Sequence, residues 1–304
     1  MSGSVAGVYG KHPEQADFLR VGAGEFAQAG LDRWFEEATE TLRRERLALP
    51  DAPTGFLLPG VGNDQLIAGA FAPSQDAVGR SFPLIVCASL PARAGTKLSA
   101  LHAACADFVA GAAALAREAG TLPVSEVAAR AQALAVPGAA TDAPSALDHE
   151  NTRSLIAALG GTSGGLGYAL HTCLAACEQA KKNGGATASP SGTTPSAITV
   201  DAPAPSDASL RFWLELMTPR LGPVRPSLLW TAGVEGRLLA ALGAPPAAFL
   251  SYLANPQHRA SRFWPLRTEV AAAIDSTTKA LTPDQRRLID NDQSSLAALL
   301  AAFP

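Results

Sequence analysis

Two periods of apolar residues divide the first 120 residues into helices and strands. In residues 23–46 the apolar positions recur every three or four residues, while glutamates and arginines take the positions between them, as in an amphipathic helix. Residues 98–119 repeat this spacing with more alanine and predict a second helix. Because short connections join the last three of the predicted strands, we expect an antiparallel meander. The strands are predicted at residues 5–11, 54–58, 65–71 and 82–90.

Helical spacing dominates the rest of the chain. Residues 183–207 are almost entirely Gly, Ser, Thr, Ala and Pro, which is typical of a mobile loop, apart from a short strand at 198–200. The helix at 147–159 has its predicted cap at Ser145, and Thr282 caps a terminal helix. We expect the apolar stretches at 238–242 and 296–300 to be core. The other predicted elements are helices at 125–135, 147–159, 168–182, 210–217, 246–253 and 267–279, and a strand at 226–231.

These elements predict an α/β fold of the α+β type, in which helices flank an antiparallel sheet. A chain of 304 residues can form one large domain or two ordinary ones. We expect three parts: an N-terminal α/β core at 1–120, a second α/β half at 121–264 with the loop at 183–207, and a helical tail at 265–304.

Composition and charge disfavour several classes of function. The net charge is −3 with both signs interspersed, so neither nucleic acid nor an anionic membrane surface is expected as a partner. We expect no apolar run to span a bilayer, and residues 1–5 lack the basic flank and hydrophobic core of a secretory signal. The protein is therefore expected in the cytoplasm. The four cysteines lie in apolar stretches and are expected to be free thiols.

One short pattern points towards catalysis. Residues 161–165 read G-x-S-x-G around Ser163, with His171 and His258 downstream, as in the nucleophile elbow of a serine hydrolase. The elbow needs a strand before the serine, whereas the preceding residues have helical spacing, so the hydrolase stays an alternative. No Gly-Lys-Ser/Thr follows the glycines to bind nucleotide phosphates, and the His and Cys spacings favour core over a metal site. We therefore predict no catalytic residue, cofactor or metal.

Two polar connections carry the remaining candidate chemistry. Each follows the end of a predicted strand, so we expect them to meet at one end of the sheet. Their charged residues either brace the connections or form a recognition patch, and both roles remain open. The candidate residues are Lys11, Pro13, Asp17, Phe18, Arg20, Ser74, Asp76, Gly79, Arg80, Phe82 and Pro83.

The same connections resemble the TagF (ImpM) family of type VI secretion accessory proteins. The matching residues are Gly7-Val8-Tyr9-Gly10-Lys11-His12-Pro13, Asp17-Phe18-Leu19-Arg20, Pro73-Ser74, Asp76, Val78-Gly79-Arg80 and Phe82-Pro83-Leu84. The resemblance implies a longin- or profilin-like fold and a cytoplasmic, non-catalytic repressor of secretion-system assembly. It also implies that the repressor acts after translation, by binding the system's forkhead-associated-domain scaffold protein, with no small-molecule substrate. A structural adaptor without repressor activity is the other alternative.

Overall fold

One nine-stranded sheet runs through the computed structural model, which describes residues 5–62, 64–92, 96–138, 146–183, 197–222 and 224–304. The strands are β1 (Gly7–Gly10), β2 (Leu19–Val21), β3 (Thr54–Pro59), β4 (Gln65–Ala72), β5 (Leu84–Pro91), β6 (Thr199–Pro203), β7 (Ser227–Thr231), β8 (Arg237–Ala241) and β9 (Phe263–Pro265). Their order across the sheet is β2-β1-β5-β4-β3-β7-β8-β6-β9. Only β6 and β9 pair in parallel, so the predicted antiparallel sheet is confirmed.

Helices cover both faces of the sheet, which confirms the predicted α+β class. They are α1 (Gly24–Gln28), α2 (Leu31–Arg44), α3 (Leu98–Glu118), α4 (Val124–Ala133), α5 (Arg153–Ala158), α6 (Ser163–Lys182), α7 (Asp207–Leu221), α8 (Phe249–Ala254), α9 (Ala271–Ala280), α10 (Pro283–Asp290) and α11 (Leu296–Ala302). Short 3₁₀ turns lie at Ala119–Thr121 and Ala146–His149. The capping box predicted at Thr282 is present at the start of α10.

Strand β4 shows why the meander could be recognised. Its side chains alternate between two layers, with Ile67 and Phe71 in the core formed with α2 and α8. Ala68 and Ala70 lie in the opposite core, where α3 crosses the strand. Since both faces are buried, β4 is apolar along most of its length rather than alternating with polar residues.

Several element predictions need correction. The helix predicted at 23–46 is two helices, α1 and α2, separated at Gly30 by a left-handed backbone conformation with φ 74°. The helix predicted at 147–159 is a 3₁₀ turn followed by α5, because Asn151 forms a bridge to Ser295 and interrupts it. Residues 238–242 are indeed buried, but 237–241 form strand β8. The proposed cap Ser145 and residues 184–196 of the predicted loop lie outside the described residues.

Helix α3 corrects the expectation that no apolar run could span a bilayer. By length and composition alone, Leu98–Thr121 is long and apolar enough to do so. Half of its most apolar stretch is buried inside the protein, and the helix packs on β4, β5 and α7. These contacts are those of a core helix.

The prediction that the cysteines are free thiols is confirmed. All four cysteines, Cys87, Cys105, Cys173 and Cys177, are buried and free, as predicted.

Strand β3 pairs directly with β7, with Thr54 opposite Thr231, so the sheet joins the first two predicted parts of the chain. The three-part division itself stays a prediction.

Candidate partner-binding site

Two loops meet at one end of the sheet. The first loop, residues 11–18, follows β1, and the second loop, residues 73–83, joins β4 to β5. Both start beside Leu84, which pairs with the last residues of β1 and β4. The Ser74 hydroxyl donates to the Lys11 carbonyl at 2.9 Å, and the Ala77 amide donates to the Gln15 carbonyl at 2.9 Å. These bonds fix the two loops to each other.

Asp76 lies at the centre of the contact and is only 2% exposed. Its Oδ1 accepts backbone N–H bonds from Val78 at 3.1 Å and from Arg80 at 2.9 Å. Its Oδ2 lies 3.1 Å from the Lys11 ammonium and 2.7 Å from Arg80 Nε. Burial by itself would raise the pKa of Asp76, but the donors from Arg80, Lys11 and Val78 together hold that pKa well below its usual range. The carboxylate is therefore charged and fully hydrogen-bonded.

The second loop owes its shape to this carboxylate and to Gly79. The Asp76 amide donates to the Arg80 carbonyl at 3.1 Å, and the Gly79 amide donates to the Asp76 carbonyl at 2.9 Å. Between them Gly79 has φ 83°, a left-handed conformation that residues with a Cβ rarely adopt. The Arg80 guanidinium also donates to the Ala16 carbonyl and so ties this turn to the first loop.

An aromatic cluster supports the first loop from below. The Phe18 ring stacks on Tyr9 with centroids 5.3 Å apart and meets the edge of Phe82 at 4.9 Å. The Lys11 ammonium lies 4.2 Å from the Phe18 centroid, opposite its ion pair with Asp76. Burial, together with a hydrogen bond to Glu36 on α2, raises the pKa of Tyr9. The cluster therefore encloses the Lys11 charge between a carboxylate and a π face.

His12 anchors the first loop to the helical layer, which sequence reasoning did not foresee. The ring is fully buried; Nε2 donates to the Ala119 carbonyl at 2.9 Å, and Nδ1 accepts from the Glu14 amide at 3.2 Å. The Glu14 carboxylate accepts from the Val124 amide at the start of α4. The only sequence signal for His12 was its position between Lys11 and Pro13.

Burial divides the candidate residues into three groups. Lys11, Asp76, Phe82 and Pro83 are buried, whereas Asp17, Arg20, Gly79 and Arg80 are exposed, and Pro13, Phe18 and Ser74 are intermediate. Asp76 is the ionic partner of Arg80, while Asp17 accepts from the Phe18 amide at 2.7 Å. A bracing role suits the buried group and a contact role suits the exposed group.

The alternative site at Ser163 lacks the geometry of a nucleophile elbow. Ser163 is the first residue of α6, Thr162 caps that helix, and helix α5 rather than a strand precedes it. The neighbouring glycines have a packing role, since a Cβ on Gly164 would lie 2.6 Å from Ile274 of α9. The glycine-rich stretch thus lets two helices cross closely.

The fold and the two loops define an α+β protein whose N-terminal half carries a rigid pair of loops braced by buried charges. Residues 7–134, which hold every candidate residue, match the family model described as TagF N-terminal domain, type VI secretion system-associated. This part of the chain is therefore similar to the TagF N-terminal domain, which confirms the resemblance that its motifs predicted.

Other comparisons add less. The crystal structure of PA0076 from Pseudomonas aeruginosa PAO1 is similar with a TM-score of 0.46 and 19% sequence identity, over 84% of this chain and 96% of that chain. No curated protein sequence matches the chain.

Proposed function

We propose that this protein is a non-catalytic, cytoplasmic regulator that represses assembly of the type VI secretion apparatus after translation. It acts by binding the forkhead-associated-domain scaffold protein of that system. The observation that carries the proposal is the TagF N-terminal domain, whose matched residues contain the whole two-loop element. Association with the secretion system follows from the family; repression and the scaffold partner are the proposed steps.

The chemistry of the two loops favours binding over catalysis. The charges of Lys11 and Asp76 are buried against each other, so neither is free to act on a substrate. Asp76 is held ionised by its donors, which suits a fixed anchor better than a group that exchanges protons near neutral pH. A rigid surface of this kind lowers the entropy cost of binding a protein partner.

Deletion of the gene is the most direct test. A repressor's loss raises secretion by the type VI system, and re-expression of the full chain lowers it again. A structural adaptor's loss lowers secretion instead, and that result would reject repression. Pull-down of the scaffold protein by the tagged full chain tests the partner separately, with fractionation of the same cells to check the cytoplasmic location.

A further inference from the structure

The second loop exposes an apolar residue at a fixed position. Val78 is 65% exposed. Among the described residues of the matched segment, Val61, at 39%, is the other exposed large hydrophobic residue. The Val78 amide donates to buried Asp76, and Gly79 next to it closes the turn. A single exposed valine is ordinary on a protein surface, but this one is held by a buried network of charges. The network therefore fixes where Val78 points its side chain from the loop.

Arg20 is the second exposed group beside the loops. Its guanidinium carbon lies 5.4 Å from the centroid of Tyr9 and 5.7 Å from that of Phe18. Among the described residues, no carboxylate lies within ion-pair distance of Arg20 and no hydrogen bond restrains it, so its planar set of donors is available. Arg20 on β2 and the start of β5 flank β1, so the backbone of Arg20 lies about 10 Å from the base of the second loop.

We infer that Val78 and Arg20 form the partner-contacting surface, and that Lys11 and Asp76 position it from below without touching the partner. This rests on the proposed function, because it names the face that the scaffold protein binds. Arginine backed by aromatic rings is enriched at binding hot spots, and pre-ordering of its neighbours reduces the cost of association. The buried ion pair, which by itself adds little net stability, then has a positional role.

The surface defines the chemistry of its partner. Val78 fits an apolar patch, and Arg20, beside the base of the same loop, fits a carboxylate near that patch. The turn at Gly79 offers no phosphate-sized nest of free amides, since the amides of Val78, Gly79 and Arg80 already donate within the chain. We therefore expect an acidic, partly apolar face of the folded scaffold protein.

Binding of the purified full chain to the purified scaffold protein tests the inference by calorimetry. Val78→Asp and Arg20→Glu are each expected to weaken binding about tenfold or more, with unchanged melting temperature. Val61→Asp is the matched control, because Val61 lies in the turn between β3 and β4 at the opposite end of the sheet. This variant is expected to bind as the unmodified chain does.

A positioning role for Lys11 has its own readout. Lys11→Met is expected to weaken binding at a temperature well below melting, and Lys11→Arg to restore affinity by restoring the charge. If the unmodified chain binds and both Val78→Asp and Arg20→Glu bind equally well, the surface is wrong while the proposed partner stands. If the unmodified chain fails to bind, the partner is wrong and the inference falls with it.

Discussion

Two buried carboxylates, Asp76 and Asp201, have pKa values shifted in opposite directions. Asp201 on β6 is 8% exposed and receives two bonds from Arg237, Nε to Oδ1 at 3.0 Å and a terminal nitrogen to Oδ2 at 2.8 Å. Burial raises the pKa of Asp201, and Arg237 offsets only part of that rise. Burial also acts to raise the pKa of Asp76, but two backbone amides and two cationic side chains outweigh it and lower that pKa.

The difference shows that two backbone amides and two cations together make a buried charge favourable, whereas a single counter-ion offsets only part of the desolvation penalty. The Asp76 charge shapes a loop, so it cannot be exchanged for an apolar group without losing that shape. The Asp201 and Arg237 pair joins β6, β8 and the end of α8, where Arg237 also donates to the Tyr252 and Leu253 carbonyls. An apolar pair of similar size could replace the ion pair itself, but it would lose the two bonds to the α8 carbonyls.

The largest expected effect is at Arg237. Arg237→Leu leaves the Asp201 carboxylate buried without its partner, and should lower the free energy of unfolding by about 3–5 kcal/mol. Chemical denaturation measures this loss. The double variant Asp201→Leu with Arg237→Leu should recover the part of this loss that comes from the unpaired carboxylate, but not the bonds to the Tyr252 and Leu253 carbonyls. A double variant as unstable as the single one would contradict the comparison.

His102 also makes the stability of the protein depend on pH, independently of the two buried carboxylates. Its ring is buried against Trp230, and burial lowers the pKa of His102 to about 4, with Asp207 opposing the shift and Arg211 adding to it. Between about pH 6.5 and 4 only the unfolded imidazole binds a proton, so the protein should lose about 3 kcal/mol across that window. His102→Phe should flatten this part of the stability–pH curve, and an unchanged slope would reject the assignment.

A smaller loss is expected for Asp76→Asn, measured in the His102→Phe background. Asparagine keeps an oxygen for the amides of Val78 and Arg80 but loses the charge facing Lys11, so the melting temperature at pH 7 should fall by about 5 °C. Because the pKa of Asp76 is lowered in the folded state, its contribution is present above pH 4 and is lost as the pH falls further. The difference in melting temperature between the His102→Phe protein and its Asp76→Asn variant should therefore become smaller in acid. A difference that does not change with pH would count against the ion pair.

The smallest expected effects come from two glycines. Gly79→Ala meets no atom within 4 Å but must keep a left-handed φ, and should cost about 1 kcal/mol. Gly24→Ala also meets no atom, has no such φ and lies in α1, so it should stabilise by about 0.5 kcal/mol. Thermal unfolding of both variants isolates the cost of the left-handed backbone, since neither added Cβ meets an atom.

Residue spacing predicted much of the fold but not its interruptions. The meander and α3 follow from long apolar runs, whereas β2 has only three residues and exists through its pairing with β1. The spacing of apolar residues does not change at Gly30, so it gives no sign of the break there. The Leu-Leu-Ala-Ala of β8 is equally compatible with a helix. Such elements are decided by contacts distant in sequence.

The contact between the two loops was predictable from the sequence, but which of their residues are buried and which are exposed was not. Both loops follow strand ends, so their proximity could be inferred from order alone. Which charge is buried depends on Phe18, which packs against Phe82 and lies over the Lys11 ammonium that pairs with Asp76. The link from His12 to Ala119 joins residues too far apart in sequence for local patterns to reveal.

The pairing of β3 with β7 also has a consequence for synthesis on the ribosome. When β3 emerges, its partner β7 lies about 170 residues further along the chain, which at bacterial elongation rates means a delay of roughly 10–30 s. During that time the open edge of β3, with its apolar Phe-Leu-Leu run, can pair with another nascent chain. Soluble expression should therefore depend on chaperones that shield this edge until β7 is made.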